Sequence, residues 1–222
     1  MPDFVARYMG LALFVIFAFW FKFIIGRSGK NQKNKKEKLM TDEREANFSR
    51  VQEIPEHMKY APDISKLPVK EYLGDEKSDK AATMQERALK AAELPMLRLD
   101  PPMTNIDIKR AFGATNLETI TAREENYEQY TRALSNWAAE LIALDNYEDA
   151  EIILNICVDM KALFFLPYSL LCDIYEKTVN KDGLLNLQNK ISNVDIIRNN
   201  ESLFGKINEY ISIKYSALNP DM

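Results

Sequence analysis

The chain has one histidine, His57, and two cysteines, Cys157 and Cys172, among its 222 residues. One imidazole is too few for a His-rich metal site, and neither Cys-x-x-Cys nor His-Glu-x-x-His spacing is present. Two cysteines make no disulfide framework. Both sit inside apolar helical patterns, where a free thiol behaves as a small buried hydrophobe. Glycine is as sparse: seven, at positions 10, 26, 29, 74, 113, 183 and 205, scattered too widely to form a phosphate-cradling loop. A Gly-x-Ser-x-Gly elbow is missing, and the carboxylate pairs Glu124-Glu125 and Glu148-Asp149 fall at turns or on helix faces, where they serve solubility. Taken together, these gaps lead us to expect no catalytic residues, no metal, no cofactor and no small-molecule substrate. His57 lies in a proline-bounded polar stretch and reads as a solvated side chain. Period-two alternation is missing as well, which makes the expected fold class all-α.

Charge is distributed unevenly. Residues 1–40 hold eight Lys/Arg against Asp3 and Glu37, a net of +6, so the remainder must carry −10 to give the overall −4. The acidic body argues against nucleic-acid binding, because phosphate contacts need clustered Lys and Arg. The basic cluster follows directly on a long apolar run, Tyr8 to Phe21, which resumes after Lys22 as Phe23-Ile24-Ile25-Gly26. Tyr8 to Ile25 would extend about 27 Å as a helix, close to a hydrocarbon core of about 30 Å. Residues 8–26 are therefore predicted to form a transmembrane helix in contact with the lipid bilayer.

Tyr8 and Trp20 stand where interfacial aromatics belong, and Lys22 lies one turn from the end, where its ammonium reaches the headgroups. No small-x-small cleavage site follows, and the positive region is on the wrong side for a signal peptide. Arg7 stands alone before the run, whereas Arg27, Lys30, Lys33, Lys35, Lys36 and Lys38 follow it. The positive-inside rule then leaves residues 1–7 outside and the C-terminal bulk in the cytoplasm, with the bacterial plasma membrane as the expected setting. The basic side chains are also candidates for contact with anionic headgroups.

Residues 27–79 are charged, poor in aliphatics and interrupted by Pro55, Pro62 and Pro68. Such a composition buries too little apolar surface to offset ordering, and a flexible tether is expected. Its short apolar marks, Ile54, Tyr60, Ile64, Leu67, Val69, Tyr72 and Leu73, suit a spacer, a linear motif or a segment that docks on the later domain. A linker helix is expected within 80–100, ended or kinked by Pro95. The helical domain is set at 101–222.

Within that domain Thr104 to Asp107 caps a short helix stopped by Gly113, and Thr115-Asn116-Leu117-Glu118 fits a second capping box. Leu117, Ile120, Tyr127, Tyr130, Leu134, Trp137, Leu141 and Leu144 recur at helical steps, interrupted only at Arg123 to Asn126, so one long helix or two in line is expected. The pattern turns at Asp145-Asn146, restarts at Tyr147, restarts again around Pro167 and after Asn180, and ends in a helix from about Glu201 to Ala217. Between Thr131 and Ser192 it repeats. A shift of 34 positions lays Leu134 on Tyr168, Trp137 on Leu171, Ala138 on Cys172, Leu141 on Tyr175, Ala150 on Leu184 and Cys157 on Ile191. A self-match at this period marks stacked helix-turn-helix units.

This stretch resembles the tetratricopeptide repeat family. Trp137-Ala138 and Leu171-Cys172 match its early large and small pair. Leu141 and Tyr175 match the later aromatic position, and Asn146 to Ala150 match its turn and crossing residue. Leu184 and Gln188 depart from the pattern, and the usual glycine and terminal proline are missing from both units. The resemblance implies a concave face built from Arg132, Ser135, Asn136, Ala139, Ser169, Asp173 and Glu176, and a protein or peptide partner at the membrane. The family's carboxylate clamp is not reproduced, because Ser135, Ala139 and Asp173 stand where its donors would be. The expected function is a membrane-anchored, cytoplasmic adaptor that binds proteins. A permanent structural subunit of a membrane complex and an import-receptor-like protein are the alternatives.

Overall fold

A computed structural model describes residues 17, 20, 35–72, 74 and 76–218. The chain is all-α apart from one two-residue strand pair among the described residues. The predicted transmembrane helix lies outside the described residues except at Phe17 and Trp20, which are helical and exposed. Arg7, Tyr8, Lys22, Arg27, Lys30 and Lys33 also lie outside, whereas Lys35, Lys36 and Lys38 are helical and exposed. Among the described residues, no helix is long and apolar enough to cross a membrane.

The described residues divide into two compact units, one of those up to 52 with 104–117 and one of those from 53 to 103 with 118–218. The first unit contains a helix at 35–47 (α1) and α3, Asn105–Phe112. Thr104 caps α3 as the sequence predicts: its hydroxyl accepts from the Asp107 amide at 3.3 Å, and the Asp107 carboxylate accepts from the Thr104 amide at 3.1 Å. The cation of Arg110 meets Asp42 at 2.8 Å and that of Lys109 meets Glu43 at 3.2 Å, fixing α1 to α3. Gly113 ends α3 at φ 87°, where a Cβ would stand 2.8 Å from the Val51 Cα, so both conformation and close approach demand glycine there. The expected capping box at Thr115 does not form. Residues Ala114–Asn116 make a 3-10 turn that runs straight into the next helix.

In the second unit, α2 (Glu76–Ala92) buries Ala81, Ala88 and Ala92 and is followed by β2 (Met96–Leu97), which pairs antiparallel with β1 (Lys59–Tyr60). Next come α4 (Leu117–Ala143), α5 (Tyr147–Asp159), α6 (Leu166–Lys177), α7 (Lys181–Ser192), the single-turn α8 (Asp195–Arg198) and α9 (Glu201–Ala217). The polar stretch at Arg123 to Asn126 leaves α4 unbroken. One core runs through all of them, with Trp137, Tyr130, Leu134 and Leu141 from α4, Ile153 and Leu154 from α5, and Tyr168, Leu171 and Ile174 from α6 fully or almost fully buried.

Two expected boundaries move. Residues 53–72 are part of this unit, with Leu67 buried in the core and Tyr60 and Tyr72 packed against it, and do not form a free tether. The segment is too poor in aliphatics to build a core of its own, and it borrows the one made by the helices. The helix expected within 80–100 and ended by Pro95 is α2, whereas 101 is not a domain start, because Thr104–Leu117 belongs to the first unit.

The 34-residue period extends to individual backbone bonds. At the end of α4, Asn146 donates to the Leu141 carbonyl at 2.9 Å and Asp145 to the Ile142 carbonyl at 3.0 Å. Thirty-four positions on, Asn180 donates to Tyr175 at 2.8 Å and Val179 to Glu176 at 3.1 Å. Both are Schellman closures, with Asp145 and Val179 at φ 57° and 54°. Asn146 and Asn180 then cap the following helices, accepting from the Asp149 and Gly183 amides. The same order of turn, cap and helix is thus built twice.

Where the copies differ, size is balanced. The second copy has the larger Tyr175 in place of Leu141, and Gly183 where the first has Asp149; a Cβ on Gly183 would meet the Tyr175 ring at 2.7 Å.

Val179 is a β-branched residue in left-handed geometry, 66% exposed, with no packing to offset the strain. Val179→Asn should therefore raise stability by about 1 kcal/mol, given the roughly 1–2 kcal/mol cost of that conformation for residues with a Cβ. A urea unfolding curve checks this, and a lowered midpoint would contradict it.

Candidate partner-binding surface

Of the concave face implied by the repeat resemblance, only Ser135 is buried, Ala139, Ser169, Asp173 and Glu176 are half-buried, and Arg132 and Asn136 are exposed. Ser135 is fully buried, its hydroxyl donating to the Thr131 carbonyl at 2.9 Å, so it faces α5 and no partner. Asp173 and Glu176 lie beneath α9: the Lys214 ammonium stands 2.9 Å from Asp173 and 2.6 Å from Glu176, and the Tyr210 hydroxyl donates to Asp173 at 2.8 Å. The reason is sequence order. The apolar stripe of α9 had no assigned partner, and the face of α6 is where it packs. Ser169 is half-buried and turns its hydroxyl back to the Leu166 carbonyl. Ala139 is half-buried, while Asn136 and Arg132 remain exposed.

Arg132 leads to the open surface. Its guanidinium lies 4.5 Å from the centre of the Phe164 ring and pairs loosely with Glu128 at 3.7 Å. These groups, with Arg98, Tyr127, Lys161, Leu163 and Ile196, line a small pocket of about 60 Å³. Leu163 and Ile196 also line a much larger open cleft of about 820 Å³, whose other walls are Asp100, Pro101, Pro102, Asp195, Asn199, Asn200 and Glu201. Leu163 is 40% exposed, and Leu166 just beyond it is nearly as open. The cleft thus combines an aliphatic floor with three carboxylates.

Those carboxylates differ in freedom. Asp100 accepts from the Lys161 ammonium at 2.7 Å, a bond that holds its carboxyl below the usual range, with Arg98 3.5 Å away. Asp195 pairs with Arg198 one turn along α8. Glu201 opens the first turn of α9, whose cap is Asn200, accepting from the Leu203 amide. In the adjoining pocket, burial first and Glu128 second raise the Glu124 carboxyl above its ordinary value.

Burial pushes both thiols up to about 12, and Cys157 and Cys172 are free and buried, which suppresses the thiolate that redox or nucleophilic chemistry needs. Tyr127 is also pushed up to about 12 by burial, and its hydroxyl donates to the Met160 carbonyl at 2.6 Å. Among the described residues, no group of three or more His, Cys, Asp or Glu side chains is placed to hold a metal ion.

Fold and surface together define a class: a helix-rich chain with a twice-built hairpin and an open acidic and aliphatic cleft beside it, compatible with a helical repeat domain. Comparison with protein-family models, with curated protein sequences and with solved structures finds no match.

No linear pattern marks the cleft. Its walls come from Asp100 to Pro102 and from a single-turn helix too short to leave a periodic trace. Leu163 lies beyond the end of α5, in the loop leading to α6.

Proposed function

We propose that the chain is a membrane-anchored adaptor: residues 8–26 cross the bilayer, the helical unit stands on the cytoplasmic side, and it binds a protein partner without catalysing a reaction. The observation that carries this reading is the open cleft around Leu163, because an aliphatic floor ringed by carboxylates complements a segment that alternates apolar and basic side chains. Attachment to a membrane raises the effective concentration of partners held at the same surface.

A second reading, a subunit held permanently in a membrane complex, is favoured by the first unit, where Phe48 is 85% exposed and Val51, Met40 and Leu39 are more than half exposed.

Leu163→Arg distinguishes the two. The residue is exposed, so unfolding should change by less than about 0.5 kcal/mol. An adaptor should lose its partner in co-purification from native membranes, whereas a subunit held through Phe48 and Val51 should keep its complex.

A further inference from the structure

Residues 57–72 cross the helical unit as a strap that includes β1 and a short 3-10 turn at Ile64–Lys66, and its last part is held as a groove holds a peptide. Tyr60 meets the Tyr127 ring edge-on at 5.0 Å between centres. Leu67 is the one strap residue buried. The Gln85 side chain reads the backbone of Lys70 from both sides: its oxygen accepts from the Lys70 amide at 3.0 Å and its nitrogen donates to the Lys70 carbonyl at 2.8 Å. The Lys70 ammonium reaches the Asp149 carboxylate at 2.5 Å, and the Tyr72 hydroxyl accepts from the Trp137 indole N–H at 3.1 Å. Three helices thus supply specific polar contacts to residues 67–72, which form no helix or strand of their own: two bonds from Gln85 of α2 and one each from Trp137 of α4 and Asp149 of α5.

Resting on the adaptor reading, we infer that the strap is a displaceable internal ligand, and that the groove beneath it accepts from a partner an extended segment with leucine, lysine and an aromatic hydroxyl in the spacing Leu-x-x-Lys-x-Tyr. Two features support displacement. The strap is weakly rooted: Ile64 and Val69 are exposed, and half of the Lys70 side chain is in solvent, which places it at the low end of local stability. The groove also remains chemically sound when open, since Trp137 regains a water for its N–H and Asp149 keeps the Asn146 amide, which donates to it at 2.6 Å. A segment in trans must compete with a tethered one whose effective concentration is on the order of millimolar, so the strap sets a threshold that only a clustered or tighter-binding partner crosses.

The test is fluorescence anisotropy of a labelled peptide of residues 59–72 with the full-length protein in detergent micelles. The wild-type chain should bind it weakly. A chain carrying Lys70→Glu and Tyr72→Phe, both on the strap and outside the groove, should bind the unaltered peptide about tenfold more tightly or better, and adding Asp149→Asn should remove that gain. Equal affinity for wild-type and strap-weakened chains would overturn the inference, as would equal binding of a peptide carrying Lys70→Glu.

Hydrogen exchange of the wild-type chain covers the case in which the variant fails to fold. The amides of residues 59–72 should exchange through an opening that leaves α4 to α6 protected, and exchange only together with those helices would show a permanent part of the core. Partner capture that depends on Leu163 while the strap never opens would sink this inference and leave the adaptor reading standing.

Discussion

Trp137→Ala should destabilise the helical unit by about 3–5 kcal/mol, the largest effect of any single substitution considered. Trp137 is fully buried in the C-terminal half of α4, and its indole N–H is bonded to Tyr72. Truncation would open a ring-sized cavity and remove the donor that holds the strap. Most domains of this size have stabilities of about 5–15 kcal/mol, so the variant should melt far below wild type in a thermal scan followed by circular dichroism. Trp137→Phe should keep much of the volume and lose the donor alone. Its cost should be correspondingly smaller, with the strap's amides exchanging faster. Equal losses for Ala and Phe would mean that packing contributes little at this position.

The second large effect is at Lys214. Its side chain is 16% exposed and lies against Asp173, Glu176 and the ring of Tyr210, 5.1 Å from the ring centre. Hydrogen bonding to Glu176, and next to Asp173, outweighs burial and raises its pKa above the ordinary lysine value. Lys214→Met preserves the stem but leaves two carboxylates beneath α9 without their cation, at a cost of about 1.5–3 kcal/mol.

The sign of the pH dependence follows from the direction of that shift. A raised folded-state pKa gives stability that is fully present below the unfolded lysine value of about 10.4 and is lost as pH rises through the higher folded value. The gap between wild type and Lys214→Met in urea unfolding should therefore stay level from neutral pH to about 10 and narrow only in stronger alkali. A gap that closes before pH 9 would contradict the assignment.

Both residues show how far a linear pattern carries. Trp137 was legible as core because helical periodicity and the 34-residue self-match mark it independently, and the structure repeats that period in the Asn146 and Asn180 caps. The helices themselves follow from the same signals: Thr104 with Asp107, Gly113, Pro167 and the final helix all fall where capping and periodicity place them.

Lys214 was not legible. Its meaning depends on α9 folding back across α6, a tertiary choice that covers Asp173 and Glu176, which the repeat resemblance had assigned to a partner. Ser135 failed for a related reason. A serine on a helix satisfies itself by bonding the carbonyl four residues back, so its polarity does not imply exposure.

The strap was misread through composition. Residues 53–72 are too polar to fold alone, yet Tyr60, Lys70 and Tyr72 are spaced to reach aromatic and carboxylate groups that lie 65 or more residues away in the chain. The cleft combines both failures, with walls drawn from Asp100, Leu163 and Glu201, three points that no local pattern connects.

The most direct measurement is site-specific photo-crosslinking in native membranes, with the photoreactive side chain placed at Leu163 in one variant and at Asp173 in another. Leu163 should capture a protein partner, and Asp195→Lys with Glu201→Lys should abolish that capture, because the open cleft and its carboxylates make the docking surface. Asp173, beneath α9, should capture none. Capture from Asp173 with none from Leu163, or capture from Leu163 indifferent to both charge reversals, would contradict the assignment of this cleft as the surface through which the protein binds its partner.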